Sequence, residues 1–228
     1  MHVFKSSDDK INFLKLLLKV LFALIVIQVL RASLMSVLWF GVPHPPNDLV
    51  TFQIFNGLSF IMVGVILLFY FKPSLKELGL NWDDIKPKTR NLYILGVSLL
   101  IAMALIPYTF AWETDVLVLG IVFGLLTPAF EEFLFRGYIW NSIQGSVEMV
   151  NPQIITWLAV TILFSVWHIG YLDVFLIHPM GLTNLPMILV SKMAIGLILG
   201  AIVGFLRMKT GKTYASFLFH GFWNVFAP

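Results

Sequence analysis

The sequence predicts an all-α, polytopic membrane protein. Three observations carry this expectation: 59% of the 228 residues are hydrophobic, only 12% are charged, and long apolar stretches recur, raising the mean hydropathy to +0.90. Soluble domains hold roughly 45–50% apolar and about 25% charged residues, so too little polar surface remains to cover a water-soluble globule. The composition excludes a disordered chain. The net charge of +3 and pI near 9.1 would suggest nucleic acid for a soluble protein, but here Lys and Arg of cytoplasmic loops account for it. No nucleic-acid partner is expected. With no cysteine, a disulfide framework, a thiolate nucleophile and a Cys-ligated metal are all impossible.

A membrane-crossing helix needs about 20 mostly apolar residues. Ile11–Leu30 is the first such stretch, with Lys15 and Lys19 near enough to its start to snorkel. It is too long for a signal peptide and lacks a small-residue cleavage site. Its apolar character continues to Phe40, so a long or tilted helix, or an interfacial turn after it, is expected. Pro43, Pro45 and Pro46 then break it. Val50–Phe71 is the second span. Lys72–Arg90 is the one substantial polar loop, with a short surface helix expected over Lys76–Leu80. Leu92–Trp112 is the third span. The fourth starts near Asp115, is apolar to Phe130, and must run on to about Tyr138 to be long enough. Ile154–Tyr171, with an apolar tail to Ile177, is the fifth, Leu185–Leu206 the sixth, and Tyr214–Ala227 a short seventh. An extra helix between Gly137 and Pro152 would change the count by one, giving six to eight spans in all. Trp39, Trp112, Trp140 and Trp157 fall near span ends, as an aromatic belt would place them.

Charge supports this order. With the amino terminus cytoplasmic, the inner side receives Lys5, Lys10, Lys15, Lys19, Lys72, Lys76, Lys86, Lys88, Arg90, Arg136, Arg207, Lys209 and Lys212, all but Arg31 and Lys192 of the 15 basic residues. One membrane domain over residues 1–228 is expected, with no inverted repeat of the transporter kind. Gly196, Gly200 and Gly204 form a stripe for close helix packing, with Lys192 one turn earlier, free to snorkel or to pair with Asp173. Pro128 should kink the fourth helix by freeing the carbonyl of Gly124. His44 and His178 lie in loops and match no motif.

Charged groups at membrane depth cost about 2.5–3.5 kcal/mol each on insertion scales, so each is a functional candidate. In the fourth helix, Glu132 and Arg136 are four apart and can pair, while Glu131 is rotated about 100° away and left for another task. Repulsion between adjacent carboxylates is one route to a general base. His168 follows Phe164 by four in the fifth helix, and His220 precedes Asn224 by four in the seventh. Alone, each pair has a plain explanation as an interfacial charge or an interhelical hydrogen bond. Together they supply what hydrolysis needs, a carboxylate to deprotonate water and imidazole and amide donors for an oxyanion. Glu131, His168 and His220 also match the ligand set of an open zinc site, although no HExxH motif is present.

Glu-Glu-Phe-Leu-Phe-Arg (131–136), Phe-Ser-Val-Trp-His (164–168) and His-Gly-Phe-Trp-Asn (220–224), in that order and spacing, resemble the CPBP family of intramembrane proteases, over roughly residues 118–228. That family includes the CAAX prenyl endopeptidases and bacterial Abi proteins linked to bacteriocin immunity. The resemblance implies an intramembrane endopeptidase in which Glu131 activates water and Glu132 and Arg136 shape the site. It implies further that His168 acts on the water or the oxyanion, that His220 and Asn224 complete the site with Asn224 as oxyanion donor, and that Phe164 is a packing residue. No position departs from the pattern. The family has been described both as metalloprotease and as glutamate-dependent; one clear carboxylate beside two imidazoles favours no metal, with zinc on Glu131, His168 and His220 as the other option. The expected substrate is a prenylated C-terminus, a hydrophobic peptide or a membrane protein, reached from the cytoplasm within the lipid bilayer. The lack of a eukaryotic targeting feature favours a prokaryotic plasma membrane. The alternatives are a non-catalytic immunity protein that binds a bacteriocin-like peptide, and a small transporter or haem protein ligated by His168 and His220.

Overall fold

The computed structural model describes residues 4–46, 48–146, 148–171, 177 and 184–226. Its described residues form seven helices: α1 (Ser7–Gly41), α2 (Leu49–Phe71), α3 (Pro87–Ala111), α4 (Thr114–Ser146), α5 (Pro152–Tyr171), α6 (Leu185–Thr210) and α7 (Thr213–Phe226). The first six are long and apolar enough to cross a membrane. The 14 residues of α7 reach roughly 21 Å at 1.5 Å per residue, short of a hydrocarbon core about 30 Å thick. The chain is therefore an all-α integral membrane protein.

Local chemistry sets the helix ends. The Ser6 side chain caps α1 by accepting from Asp9 N, and α1 then runs unbroken for 35 residues to the proline-rich connection. Asp48 caps α2, accepting from Val50 N and from Thr51 Oγ1; the Thr51 hydroxyl above all holds its carboxyl below the usual range. Prolines open α3 and α5, where a missing N–H costs nothing. Gly211, at φ 67°, ends α6.

Three connections and the segment before α1 meet on one face. Phe4 bridges to Met149, and Lys5 pairs with Glu148 at 2.8 Å, joining the start of α1 to the α4–α5 turn. The expected helix over Lys76–Leu80 does not form. Instead the chain turns at Gly79, φ 66°, where a Cβ would stand 2.6 Å from Thr213 Oγ1. This turn buries Leu78 against Gly137 and lets Thr213 Oγ1 donate to Leu78 O at 2.7 Å, while Asn141 Nδ2 donates to Glu77 O at 2.6 Å. The loop between α2 and α3 is thus fastened to α4 and α7 rather than floating on the membrane surface. Lys5, Lys72, Lys76, Lys86, Lys209 and Lys212 all belong to these connections or the residues beside them.

Arg136 and Arg207, counted with the inner-side cations, do not add to that surface charge: both are buried, as is Arg31. Trp140 and Trp157 turn their indoles inward. Trp140 is buried and donates to Gln144, and Trp157 donates to Ala201 O at 2.9 Å. Among the described residues no separate helix forms between Gly137 and Pro152, because α4 continues to Ser146. Asp173, His178 and most of the apolar tail to Ile177 lie outside the described residues, so the pairing of Lys192 with Asp173 is not described.

The glycine stripe of α6 lies against α5. A Cβ on Gly196 would meet His168 Nδ1 at 2.8 Å, one on Gly200 would meet Phe164 at 3.1 Å, and one on Gly204 would meet Trp157 at 2.6 Å. The stripe lets the two backbones approach and seats the aromatic face of α5. Gly204→Val is expected to lower stability by about 1–3 kcal/mol through overpacking, whereas Ile198→Val, on the exposed side of α6, leaves it unchanged. Thermal unfolding midpoints in detergent check both.

Candidate active site

The acidic pair sits midway along α4, between two stretches of altered winding. Val122–Leu126 and Phe133–Ile139 are π-helical, with α-helix over Thr127–Glu132. Pro128 has no N–H, and the chain accommodates it here by wider winding, Thr127 N bonding to Val122 O. Wider turns shift the hydrogen-bond ladder and open carbonyls to other helices. Asn224 Nδ2 takes Phe123 O at 2.9 Å, and Arg207 Nε takes Arg136 O at 2.8 Å. A Cβ on Gly221 would fall 2.8 Å from Gly124 O, so only glycine lets α7 come this close.

Glu132 and Arg136 are both 0% exposed. Arg136 Nη1 donates to Glu132 Oε1 at 3.1 Å, and Nη2 donates across to Gly200 O at 3.1 Å. The guanidinium carbon stands 4.1 Å from the centroid of the Phe164 ring, so hydrogen bonds, a carboxylate and an aromatic face together replace water around the cation. Glu132 Oε1 also accepts from His220 Nδ1 at 2.9 Å. That bond places the proton on Nδ1 and turns Nε2 toward Glu131 Oε2, 3.7 Å away.

Glu131 points elsewhere, as its rotation from Glu132 predicts. It is 2% exposed, and its Oε1 accepts from Trp167 Nε1 at 2.9 Å and from the Tyr171 hydroxyl. One carboxylate oxygen is therefore fixed by two donors, while the other faces an imidazole.

Glu131, Glu132, Arg136, Phe164 and His220 form one connected cluster. His168 joins it through aromatic contacts: its ring lies 4.9 Å from Phe164 and 5.8 Å from Tyr171. Its Nδ1 is 2.8 Å from Phe164 O, so Nδ1 carries the proton and Nε2 is the nitrogen left for chemistry. Asn224 is bonded to the α4 backbone, which commits one of its two amide hydrogens. Sequence reasoning missed the Glu131 donors. Trp167 lies inside the 164–168 motif and Tyr171 one turn later, so a polar-tipped aromatic pair at spacing four was the available signal.

Among the described residues, no group of three or more His, Asp or Glu side chains stands as a metal ion's ligands would. No step below runs through a metal.

Fold and site define a membrane-embedded protein with a buried acid–imidazole centre. Residues 113–226, half the chain, match the family model of the type II CAAX prenyl endopeptidases, Rce1-like. The chain belongs to this family, the one its three motifs resemble, and is accordingly a membrane protease. Neither a curated protein nor a solved structure matches the chain.

Removing either donor to Glu131 is expected to lower turnover. A hydrogen bond to a charged group contributes roughly 1.5–3 kcal/mol, so Tyr171→Phe and Trp167→Phe should each reduce kcat by about tenfold or more with KM little changed. Steady-state proteolysis in nanodiscs measures this.

Proposed function

We propose that Glu131 is the general base of a water-dependent intramembrane endopeptidase. The observation that carries this is the division of its two oxygens, Oε1 held by Trp167 and Tyr171 and Oε2 facing His220 Nε2. A gap of 3.7 Å is too long for a direct hydrogen bond but is spanned by one water bonded to both atoms at about 2.8 Å. Glu131 Oε2 takes a proton from that water, and the hydroxide adds to the scissile carbonyl. As the tetrahedral intermediate collapses, the C–N bond breaks and the proton on Glu131 passes to the departing amine, which restores the carboxylate. With its Nδ1 proton committed to Glu132, His220 presents Nε2 as the acceptor of that water's second hydrogen, and His168 Nε2 is left to accept from a second water or from the substrate. The second amide hydrogen of Asn224 is the donor suited to the oxyanion. Glu132 and Arg136 hold His220 in place.

An apolar substrate suits the surroundings. A cavity of about 170 Å³ lies between α1, α2 and α4, lined by Leu24, Leu67, Phe130 and Leu134 together with Pro73 and Leu78 of the α2–α3 loop. Phe130 stacks on Trp167, a donor to Glu131, with ring centroids 6.2 Å apart, so a prenyl chain or a hydrophobic peptide segment in this cavity would be separated from the base by these two rings. The basic connections favour a cytoplasmic amino terminus and entry from the cytoplasmic side, in the plasma membrane of a prokaryote.

Purified wild type and Glu131→Gln, offered a pool of hydrophobic and farnesylated peptides with and without a chelator, test this by mass spectrometry. The expected result is chelator-insensitive cleavage by wild type and none by Glu131→Gln. Equal cleavage by both contradicts the assignment of the base. Loss of wild-type cleavage on chelation and its return with zinc would replace the metal-free mechanism with the zinc one. Peptide binding by both without cleavage would favour the immunity protein.

A further inference from the structure

α1 lies outside the matched residues 113–226, yet it touches the site through two buried polar side chains. Where α5 tightens from α-helix into the 3-10 turn His168–Tyr171, two carbonyls at this turn accept from α1. Gln28 Nε2 donates to Trp167 O at 3.2 Å, and Arg31 Nη2 donates to Gly170 O at 3.1 Å. Arg31 Nε donates to Gln28 Oε1 at 2.8 Å, which locks the pair together. The Arg31 guanidinium carbon also stands 5.1 Å from the centroid of the Tyr171 ring and 5.5 Å from that of Phe60. Arg31 is 0% exposed, and a cation carried so deep into a membrane protein is costly unless something depends on it.

The groups that α1 holds include the Trp167 carbonyl and the Tyr171 ring, which belong to the same two residues that donate to Glu131 Oε1. We propose that Gln28 and Arg31 are positioning residues of the protease. By capping the end of α5 they aim the indole and phenol at one oxygen of Glu131, and so leave the other directed at His220. The proposal rests on Glu131 being the base. It also assigns a task to a helix that none of the three motifs includes.

Arg31 serves two acceptors through different nitrogens, which the single ammonium of Lys does not reproduce. Gly170→Ala gives an independent handle, because its Cβ would fall 2.5 Å from Cγ and Cδ of Gln28 and must displace that side chain. In the full-length protein in nanodiscs, Arg31→Lys and Gly170→Ala are expected to lower kcat on the order of tenfold to a hundredfold, with KM within about twofold. Arg31→Lys added to Tyr171→Phe should cost little beyond Tyr171→Phe alone, since both act on one contact. Val29→Ala, on the exposed side of α1, is the control and should match wild type. The second readout needs no substrate: the indole N–H resonance of Trp167, identified by its loss in Trp167→Phe, should move in Arg31→Lys and Gly170→Ala in the direction it moves in Glu131→Gln. An unmoved resonance in both variants overturns the proposal, as does a full, additive loss of kcat in the double variant. Should Glu131→Gln still cleave, the base assignment falls and the indole resonance alone decides whether α1 positions Trp167. Should Arg31→Lys fail to fold, Gly170→Ala decides.

Discussion

Two adjacent carboxylates with almost no solvent exposure, inside a protein that itself lies in lipid, are the constraint on which the rest of the structure depends. A charge in such a place is tolerated only when its hydrogen-bonding needs are met by fixed partners. The protein meets this by sending the two acids in different directions. Glu132 is bound to Arg136 and His220, and Glu131 to Trp167 and Tyr171. Each partner then makes its own demand. Arg136 needs the Gly200 carbonyl and the Phe164 face, and the glycines of α6 bring both within reach. His220 and Asn224 need α7 against α4, which Gly221 and the open carbonyl of Phe123 permit.

The unusual winding of α4 belongs to the same account. A regular α-helix would use the carbonyls of Phe123 and Arg136 within its own ladder. The π-helical stretches release them to Asn224 and Arg207, so the helix that carries the acids is also stitched to α6 and α7 on either side of them. Arg207 in turn reaches Asn141 Oδ1 at 3.2 Å, and Asn141 holds the loop between α2 and α3. The site and the basic face are thereby one mechanical unit.

Much of this was legible in the sequence where the governing interaction is local. Prolines and apolar runs located the helices, because backbone hydrogen bonding and lipid leave few alternatives. The Glu132–Arg136 pair followed from helical spacing, and the approach of α6 to another helix from its glycine stripe. Interactions between residues distant in sequence were not legible. Tyr171 and Trp167 look like ordinary membrane aromatics until the fold turns them toward Glu131, and Arg31, left outside the tally of inner-side cations, gains a partner only once α1 meets the end of α5. Arg207 was counted only among the inner-side cations for the same reason: a tally of basic residues by position does not distinguish a cation in water from one held by carbonyls. The expected helix at Lys76–Leu80 failed because Leu78 has a buried place to fill and Gly79 supplies the turn that delivers it.

The central claim is that neighbouring glutamates have separate work, Glu131 in chemistry and Glu132 in holding the charged core. The most direct test is to measure the unfolding midpoint and the cleavage rate of Glu131→Gln and Glu132→Gln side by side. Gln at 131 still accepts from Trp167 and Tyr171, so this variant should fold like wild type and be inactive. Gln at 132 leaves the buried Arg136 cation without its anion, a loss of about 3–5 kcal/mol, so that variant should unfold markedly earlier. A stable, inactive Glu132→Gln beside an active or unstable Glu131→Gln would contradict the account.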